Sequence, residues 1–555
     1  MKKLKLLVPI LAFAFYSCDQ YLDINKSPNQ LEFDKALPKN LLPGAQVSTY
    51  RVQVGTMNQL GNVFMNSWTR NVQSFGNGYD RELQLNLDNA FYSNIWNGLF
   101  LNLKNYQAII DFSNPEGKYD YSVAAAKICK AFYMQYIVDL YGNAPYTNAW
   151  QGNDNLTPTY DDDYAIYQDL FQNLEEARDL IAAADPAVVE DISGFDVMLQ
   201  GDMDRWLEFA NTVQLRLCLR MSEVTGAKAT FRDQQLAEIS GGPFLTDNVS
   251  INPGFSGATN ANITPMASTY FYDSGSNNIQ NRTFIAMTGH AWKSMQSYAS
   301  TNYPAAGSQE IVPGSGVNYV NLTDPRSTRL FTGGIQGNAV GPRRAVNQGS
   351  SLVDVGGPTT TLPGPPSRLG AQGNINPYDQ AQIFAGVNDG TPDDFFTVDG
   401  FIMTFSESCF LRAEAAVRYP SLFSDAQNLF NQGVTDNFLM RNALIGTYLT
   451  TVNASRPNFG FTASTTTAQK LHAILYQKWI ALMGFNGIES YIDYTRTGYP
   501  LTPLSSIAIQ TRKPYRLIYP TSEYIANTAN VPNMTAADAF AVNALTPFWV
   551  AGAPN

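Results

Sequence analysis

Apolar residues recur at helical spacing through both ends of this chain and lose that spacing over the hundred residues between. That contrast limits the fold more than any single motif does. Over residues 91–111, Ile95, Leu99, Tyr106 and Ile109 fall on one helical face, with Trp96, Leu103 and Ile110 beside them. Over 122–141, Ala125, Cys129, Phe132, Tyr136 and Leu140 do the same, and Gly142 and Pro145 supply the stop. Residues 162–184 (Tyr167, Leu170, Phe171, Leu174, Ile181) and 204–224 (Trp206, Ala210, Val213, Leu217) predict two more helices. Residues 404–418, 424–442 and 467–483 predict three further on, the last carrying Leu471, Ile474, Leu475 and Leu482. Between them, residues 301–400 hold 16 of the 41 glycines and 10 of the 30 prolines. Runs such as Gly356-Gly357-Pro358 and Pro363-Gly364-Pro365-Pro366 continue neither a helix nor a central strand. So long an irregular stretch in a compact protein is disordered or functional, and its scattered Phe and Tyr favour ordered binding loops. The expected class is all-α: antiparallel helix pairs stacked in a tetratricopeptide-like way, with a large loop-rich insertion and no strict repeat of about 34 residues.

The N-terminus reads as an export signal. Lys2, Lys3 and Lys5 precede an apolar run over residues 6–16, and Ser17 stands before Cys18. The run is shorter than the roughly 20 residues that span a bilayer. A cysteine at the cleavage point predicts lipidation of Cys18, although Phe15 makes a loose lipobox. Residues 19–29 are polar, contain Pro28 and suit a tether. The expected organisation is a signal peptide (1–17), a lipidated tether (18–40), a helical part (41–240), a loop-rich part (241–400) and a second helical part (401–555), all in one domain.

Hydrophobic residues at 44% and charged residues at 15% indicate a globular chain. A net charge of −11 argues against nucleic acid, which needs a basic footprint. Cys129, Cys218 and Cys409 lie in apolar helical stretches, where buried thiols serve as small hydrophobes. Catalytic signatures are scarce. The two histidines, His290 and His472, belong to no cluster with zinc spacing, and His472 reads as a packing or surface residue. There is neither a nucleophile elbow nor a phosphate loop. Glu407 and Glu414, seven apart on one helical face, could form an acid pair for glycan hydrolysis but fit a solvated stripe better. Asp161-Asp162-Asp163 is best read as a helix start. With the oxygen-rich loop around Asp154 it leaves room for a structural calcium at Asp154 and Asp161, and no other cofactor is expected.

Several segments in order resemble the SusD/RagB family of nutrient-binding outer-membrane lipoproteins. They are Tyr21-Leu22-Asp23-Ile24-Asn25 with Pro28-Asn29, then Val138 to Tyr146, although Asn143 stands where an acid is common. Arg205-Trp206 through Leu215-Arg216-Leu217 follows, then Glu407 with Ala413-Glu414-Ala415-Ala416. The strongest blocks are Gln477-Lys478-Trp479-Ile480-Ala481-Leu482 and Asp493 to Pro500, followed by Arg516 to Pro520 with Ser522, Glu523 and Asn527. The resemblance implies helix pairs with a loop-rich ligand face and a glycan or, less often, a peptide as ligand. It also implies a SusC-like TonB-dependent transporter as partner, a surface-exposed lipid anchor in the outer membrane, and no catalysis. The rival readings are a lipid-anchored glycan hydrolase and a surface protein without a ligand.

A sugar-binding surface needs aromatic rings for the apolar ring faces and amides or guanidinium groups for the hydroxyls. Two stretches have that make-up. One offers Trp68, Arg70, Asn71, Gln73, Phe75 and Tyr79, and the other offers Tyr270, Phe271, Tyr272, Trp292 and Tyr303. From these, Trp68, Arg70, Asn71, Phe75, Tyr79, Tyr270, Tyr272 and Trp292 are the candidate ligand contacts.

Overall fold

The computed structural model describes residues 36–72, 78–296, 320, 322–331, 335–336, 339–340, 345–349, 353–354, 367–369 and 396–552. Cys18, the tether up to residue 35, Gln73, Phe75 and Tyr303 therefore lie outside the described residues. The main helices are α1 (Pro38–Val52), α2 (Asn58–Phe64), α3 (Ser93–Ile110), α4 (Asp120–Tyr141), α5 (Asp163–Ala183) and α6 (Met203–Arg220). They continue with α7 (Gly226–Ile239), α8 (Phe405–Arg418), α9 (Ala426–Met440), α10 (Thr467–Leu482) and α11 (Gly487–Thr497). The all-α class holds, since the strands come only in short antiparallel pairs. Two pairs matter here: β1 (Trp68–Arg70) with β3 (Ile285–Met287), and β2 (Val249–Ile251) with β4 (Gly400–Met403).

Helix ends follow from local chemistry. Asp162 accepts from the Ala165 amide at 3.0 Å, Asp202 from Arg205 at 3.1 Å, and Thr404 from Glu407 at 3.1 Å. Thr466 and Gln469 close a reciprocal capping box on α10. Each cap is worth about 1 kcal/mol. α4 stops where expected: Gly142 takes φ +71°, and a Cβ there would meet the Leu545 carbonyl at 3.0 Å. The stretches predicted as helices are helical to within a few residues at their ends, and their apolar stripes are buried.

Four of these helices lie outside the sequence reading: α1, α2, α7 and α11. α1 starts at Pro38, inside the stretch read as tether, and runs on through a π-helical turn (Gln53–Met57) into α2. α2 then crosses α11 at two glycines. A Cβ on Gly61 would fall 2.1 Å from the Gly487 carbonyl carbon, so only glycine lets these backbones meet. Asn62 and Asn58 bind the same crossing, accepting from the Gly484 amide (3.2 Å) and the Gly487 amide (3.0 Å) respectively. The helix pairs α4–α5, α8–α9, α1–α3 and α3–α4 stack side by side, and one hydrophobic core runs through them. Cys129, Cys218 and Cys409 are free, buried thiols within these helices.

Candidate functional site

The β1–β3 ribbon joins the two stretches singled out in the sequence. Trp68 pairs with Met287, Thr69 with Ala286 and Arg70 with Ile285. Beyond it the chain turns into a short helix, Gly289–Ser294, where the Thr288 hydroxyl accepts from the Ala291 amide at 3.0 Å. The two stretches thus meet as one face, but most of their aromatic rings point inward.

Trp68 is completely buried and sits edge-on to Tyr270, with ring centroids 5.2 Å apart. Tyr270 is also fully buried, and its hydroxyl donates to the Val54 carbonyl at 2.7 Å, with the Gly55 carbonyl at 2.9 Å. Both carbonyls belong to the π-helical turn, whose wider winding changes which carbonyls find a partner within the helix. Tyr270 answers that backbone need and is a core anchor. Tyr272 is 3% exposed and closes a tight turn through its bridge to Asn278. Asn71 is buried too, extending the ribbon by donating from its side chain to the Thr283 carbonyl at 2.8 Å. These four correct the sequence reading: their side chains hold the face together from beneath and are sealed from an external ligand.

Three candidates remain at the surface. Trp292 is half-buried on the Gly289–Ser294 helix. Arg70 is ion-paired with Asp80. Tyr79 is half-buried in a left-handed conformation (φ +61°), and burial, with Glu82 nearby, pushes its hydroxyl pKa well up. Its hydroxyl, the Trp68 indole N–H, the Thr69 hydroxyl and the Ser67 hydroxyl are buried without hydrogen-bond partners among the described residues. Each such group costs about 1–3 kcal/mol.

Two cavities were not foreseen. An open groove of about 1000 Å³ lies between the C-terminal part of α3 and residues 150–154, with Trp150, Phe112, Lys104 and Asp154 on its walls. Trp150 holds φ +61° and donates to the Phe100 carbonyl at 3.0 Å. Its neighbour Asp161 is spent on structure, accepting from the Tyr146 and Thr147 amides, both at 2.9 Å. Among the described residues no group of three or more His, Cys, Asp or Glu is placed to hold a metal. The second cavity, about 110 Å³, brings His290 and His472 together. No local pattern could have shown this, because its walls come from four separate segments, at residues 290, 458–459, 472–479 and 499–501.

The two glutamates of α8 overturn the solvated-stripe reading. Both are fully buried in a charge cluster with Arg216, Arg220, Lys478 and Arg496 as cations and Asp139, Glu489 and Asp493 as the other anions. Arg220 meets Asp139 at 3.0 Å, Asp493 at 3.4 Å and Glu489 more closely still. Arg496 holds Glu414 at 2.6 Å and Asp493 at 3.0 Å. Burial raises the Glu407 pKa to about 7 against the pull of Lys478 and Arg216, with Glu489 adding to the rise. Burial would raise Glu414 too, but Arg496 and Arg418 bring it down to about 2. Arg418 adds a fifth cation, meeting Glu414 at 2.7 Å. The cluster clamps α4, α6, α8, α10 and α11 together, and neither glutamate can touch a glycan.

Comparison with known proteins agrees with this architecture. The model of a family described as SusD-like, starch-binding and associating with the outer membrane matches residues 28–297 and 317–520. No curated protein matches. A chitin-binding SusD homologue from Flavobacterium johnsoniae shares 21% identity over 88% of this chain and 94% of its own, with a TM-score of 0.62. A SusD/RagB family protein from Bacteroides thetaiotaomicron shares 18% identity over 94% of this chain and 100% of its own, also at 0.62. A second SusD homologue from that organism gives 18% identity, 90% and 94% coverage and a TM-score of 0.57. At such identities the solved structures establish the fold, while the family match over most of the length establishes kinship: the chain belongs to the SusD/RagB family of nutrient-binding proteins.

Proposed function

We propose that this protein is a surface lipoprotein of the outer membrane that captures a glycan and delivers it to a SusC-like TonB-dependent transporter. The observation that carries the reading is the β1–β3 ribbon, which mounts Arg70, Tyr79 and Trp292 on a rigid helical scaffold beside unpaired buried polar groups. Aromatic rings cover the apolar faces of sugars, and a guanidinium such as that of Arg70 takes ring hydroxyls. Acylation of Cys18, at about 0.8 kcal/mol per buried methylene, would anchor the protein. The chitin-binding relative and the starch-binding description of the family support a glycan as ligand. Sealing of Glu407 and Glu414 removes the acid pair on which a hydrolase reading rested.

Isothermal titration with starch, chitin, xylan and short peptides tests the ligand class. Saturable binding of a glycan supports the proposal. Binding of peptides alone would replace the glycan by a peptide, and uniform silence would reject capture altogether.

A further inference from the structure

The cavity that joins the two histidines lies between the Gly289–Ser294 helix, α10 and residues 499–501. His290 packs against Trp479 with centroids 5.2 Å apart, and His472 packs against Tyr499 at 4.7 Å and Phe459 at 5.5 Å. Two wall residues carry polar atoms that are buried and unpartnered, Nδ1 of His472 and Nε1 of Trp479. Among the described residues neither atom has a partner, which leaves the cavity as the side from which one would come. Tyr476, also in the wall, is committed elsewhere, its hydroxyl donating to the Ser294 carbonyl at 2.5 Å.

Charge narrows the occupant. Burial takes His290 down to about 3, with Lys513 and Lys293 adding to the fall. Burial takes His472 down to about 4, against a hydrogen bond with the Asn458 backbone. Both rings are neutral near pH 7 and draw neither anion nor carboxylate. Two imidazoles alone make a poor metal site, and no third His, Cys, Asp or Glu joins them among the described residues. The neutral His472 ring offers Nδ1 as donor or acceptor according to its tautomer, whereas the Trp479 N–H only donates. A hydroxyl group answers both, because it accepts and donates at once. The volume of about 110 Å³ is smaller than the roughly 150 Å³ that encloses a benzene ring, so it fits an edge of a sugar and not a whole unit.

We propose that this cavity is a subsite for the hydroxyl-bearing edge of a neutral sugar, with one hydroxyl bridging Trp479 Nε1 and His472 Nδ1 against the walls formed by Tyr499 and Phe459. The inference rests on the glycan-binding reading and adds where one end of the ligand is gripped. A free monosaccharide and the terminal unit of a chain present the same edge.

The chain has only two histidines, which makes imidazole resonances clean reporters in the untagged protein. Glucose, xylose, N-acetylglucosamine, maltohexaose and chitohexaose are titrated separately while the histidine ring and indole N–H signals are followed, with His472→Leu and Trp479→Phe assigning them. The expected result is a saturable shift of the His472 and Trp479 signals and a 3- to 10-fold weaker affinity in Trp479→Phe, about what one lost hydrogen bond gives. A shift with monosaccharides identifies a free-sugar site, and a shift with hexasaccharides alone identifies a chain-end site; either supports the subsite. A glycan that binds without moving either signal, with His472→Leu binding as tightly as the wild type, overturns the subsite and leaves the glycan reading standing. Absence of binding by any sugar overturns both. The wild-type titration decides the matter even where a variant folds poorly.

Discussion

The charge cluster in the helical scaffold and the β1–β3 ribbon both bury polar groups, but those of the cluster are charged and paired between helices, whereas those of the ribbon are neutral. In the cluster, each cation faces one or more carboxylates, mostly across helices that are distant in sequence, and Arg418 joins them at Glu414. On the ribbon, the Ser67, Thr69 and Tyr79 hydroxyls and the Trp68 indole are buried with no partner among the described residues. Matched charges make a fixed frame, since removing one partner strands the others in a low-dielectric interior. The ribbon's unpaired groups are neutral and sealed, so what it presents outward is the partly exposed Arg70, Tyr79 and Trp292 beside them. The difference separates the part that holds the shape from the part offered to a ligand.

The comparison breaks first at its strongest points. Arg220→Met should cost about 3–5 kcal/mol, because Asp139, Glu489 and Asp493 lose a shared partner. Trp68→Ala should cost a similar 3–5 kcal/mol, as a fully buried ring under the ribbon. Urea denaturation reads both, and a loss under 1 kcal/mol in Arg220→Met would mean that the cluster is not a clamp.

Next comes pH. The folded pKa of Glu407 is about 7 against an ordinary 4.5, so between these values the folded state holds a proton that the unfolded state has released. Stability should therefore fall as pH rises through that window, by about 1–3 kcal/mol. Glu407→Gln should flatten this fall, measured by denaturation between pH 4.5 and 8. An unchanged slope in the variant would place the proton elsewhere. Glu414 works in the opposite sense: its pKa of about 2 gives stability that is present above pH 4.5 and lost on acidification toward 2.

On the ribbon side the effects are smaller and fall on affinity. Trp292→Ala should weaken glycan binding by about 1 kcal/mol, roughly five-fold, with the melting temperature nearly unchanged. A large drop in melting temperature would class Trp292 with Trp68 as support. Smallest of all, calcium or a chelator should leave the melting temperature within about 1 °C, given that Asp161 is committed to the Tyr146 and Thr147 amides.

How much of this was legible in the sequence follows from the range of each interaction. Helices with an apolar stripe and a capping side chain, such as α5, α6 and α10, were readable because their determinants lie within a few turns. α2 and α11 were not, since they depend on two glycines meeting across the fold. The aromatic stretches were recognised as special, but the pattern could not say which rings face in. Tyr270 is drawn inward by carbonyls of a π-helical turn more than 200 residues earlier in the chain. Glu407 and Glu414 looked solvated because their partners Arg216 and Arg496 come from other helices. The pairing of His290 with His472 is the same lesson for the candidate site.

The central claim is that the protein captures a glycan and does not cut it. The direct test is to incubate the purified protein with the glycan panel, measuring binding by calorimetry and new reducing ends in the same samples. The account predicts saturable binding of at least one glycan, weakened in Trp292→Ala, with the reducing-end count unchanged. New reducing ends that rise with time and protein concentration, or no binding to any glycan, would contradict it.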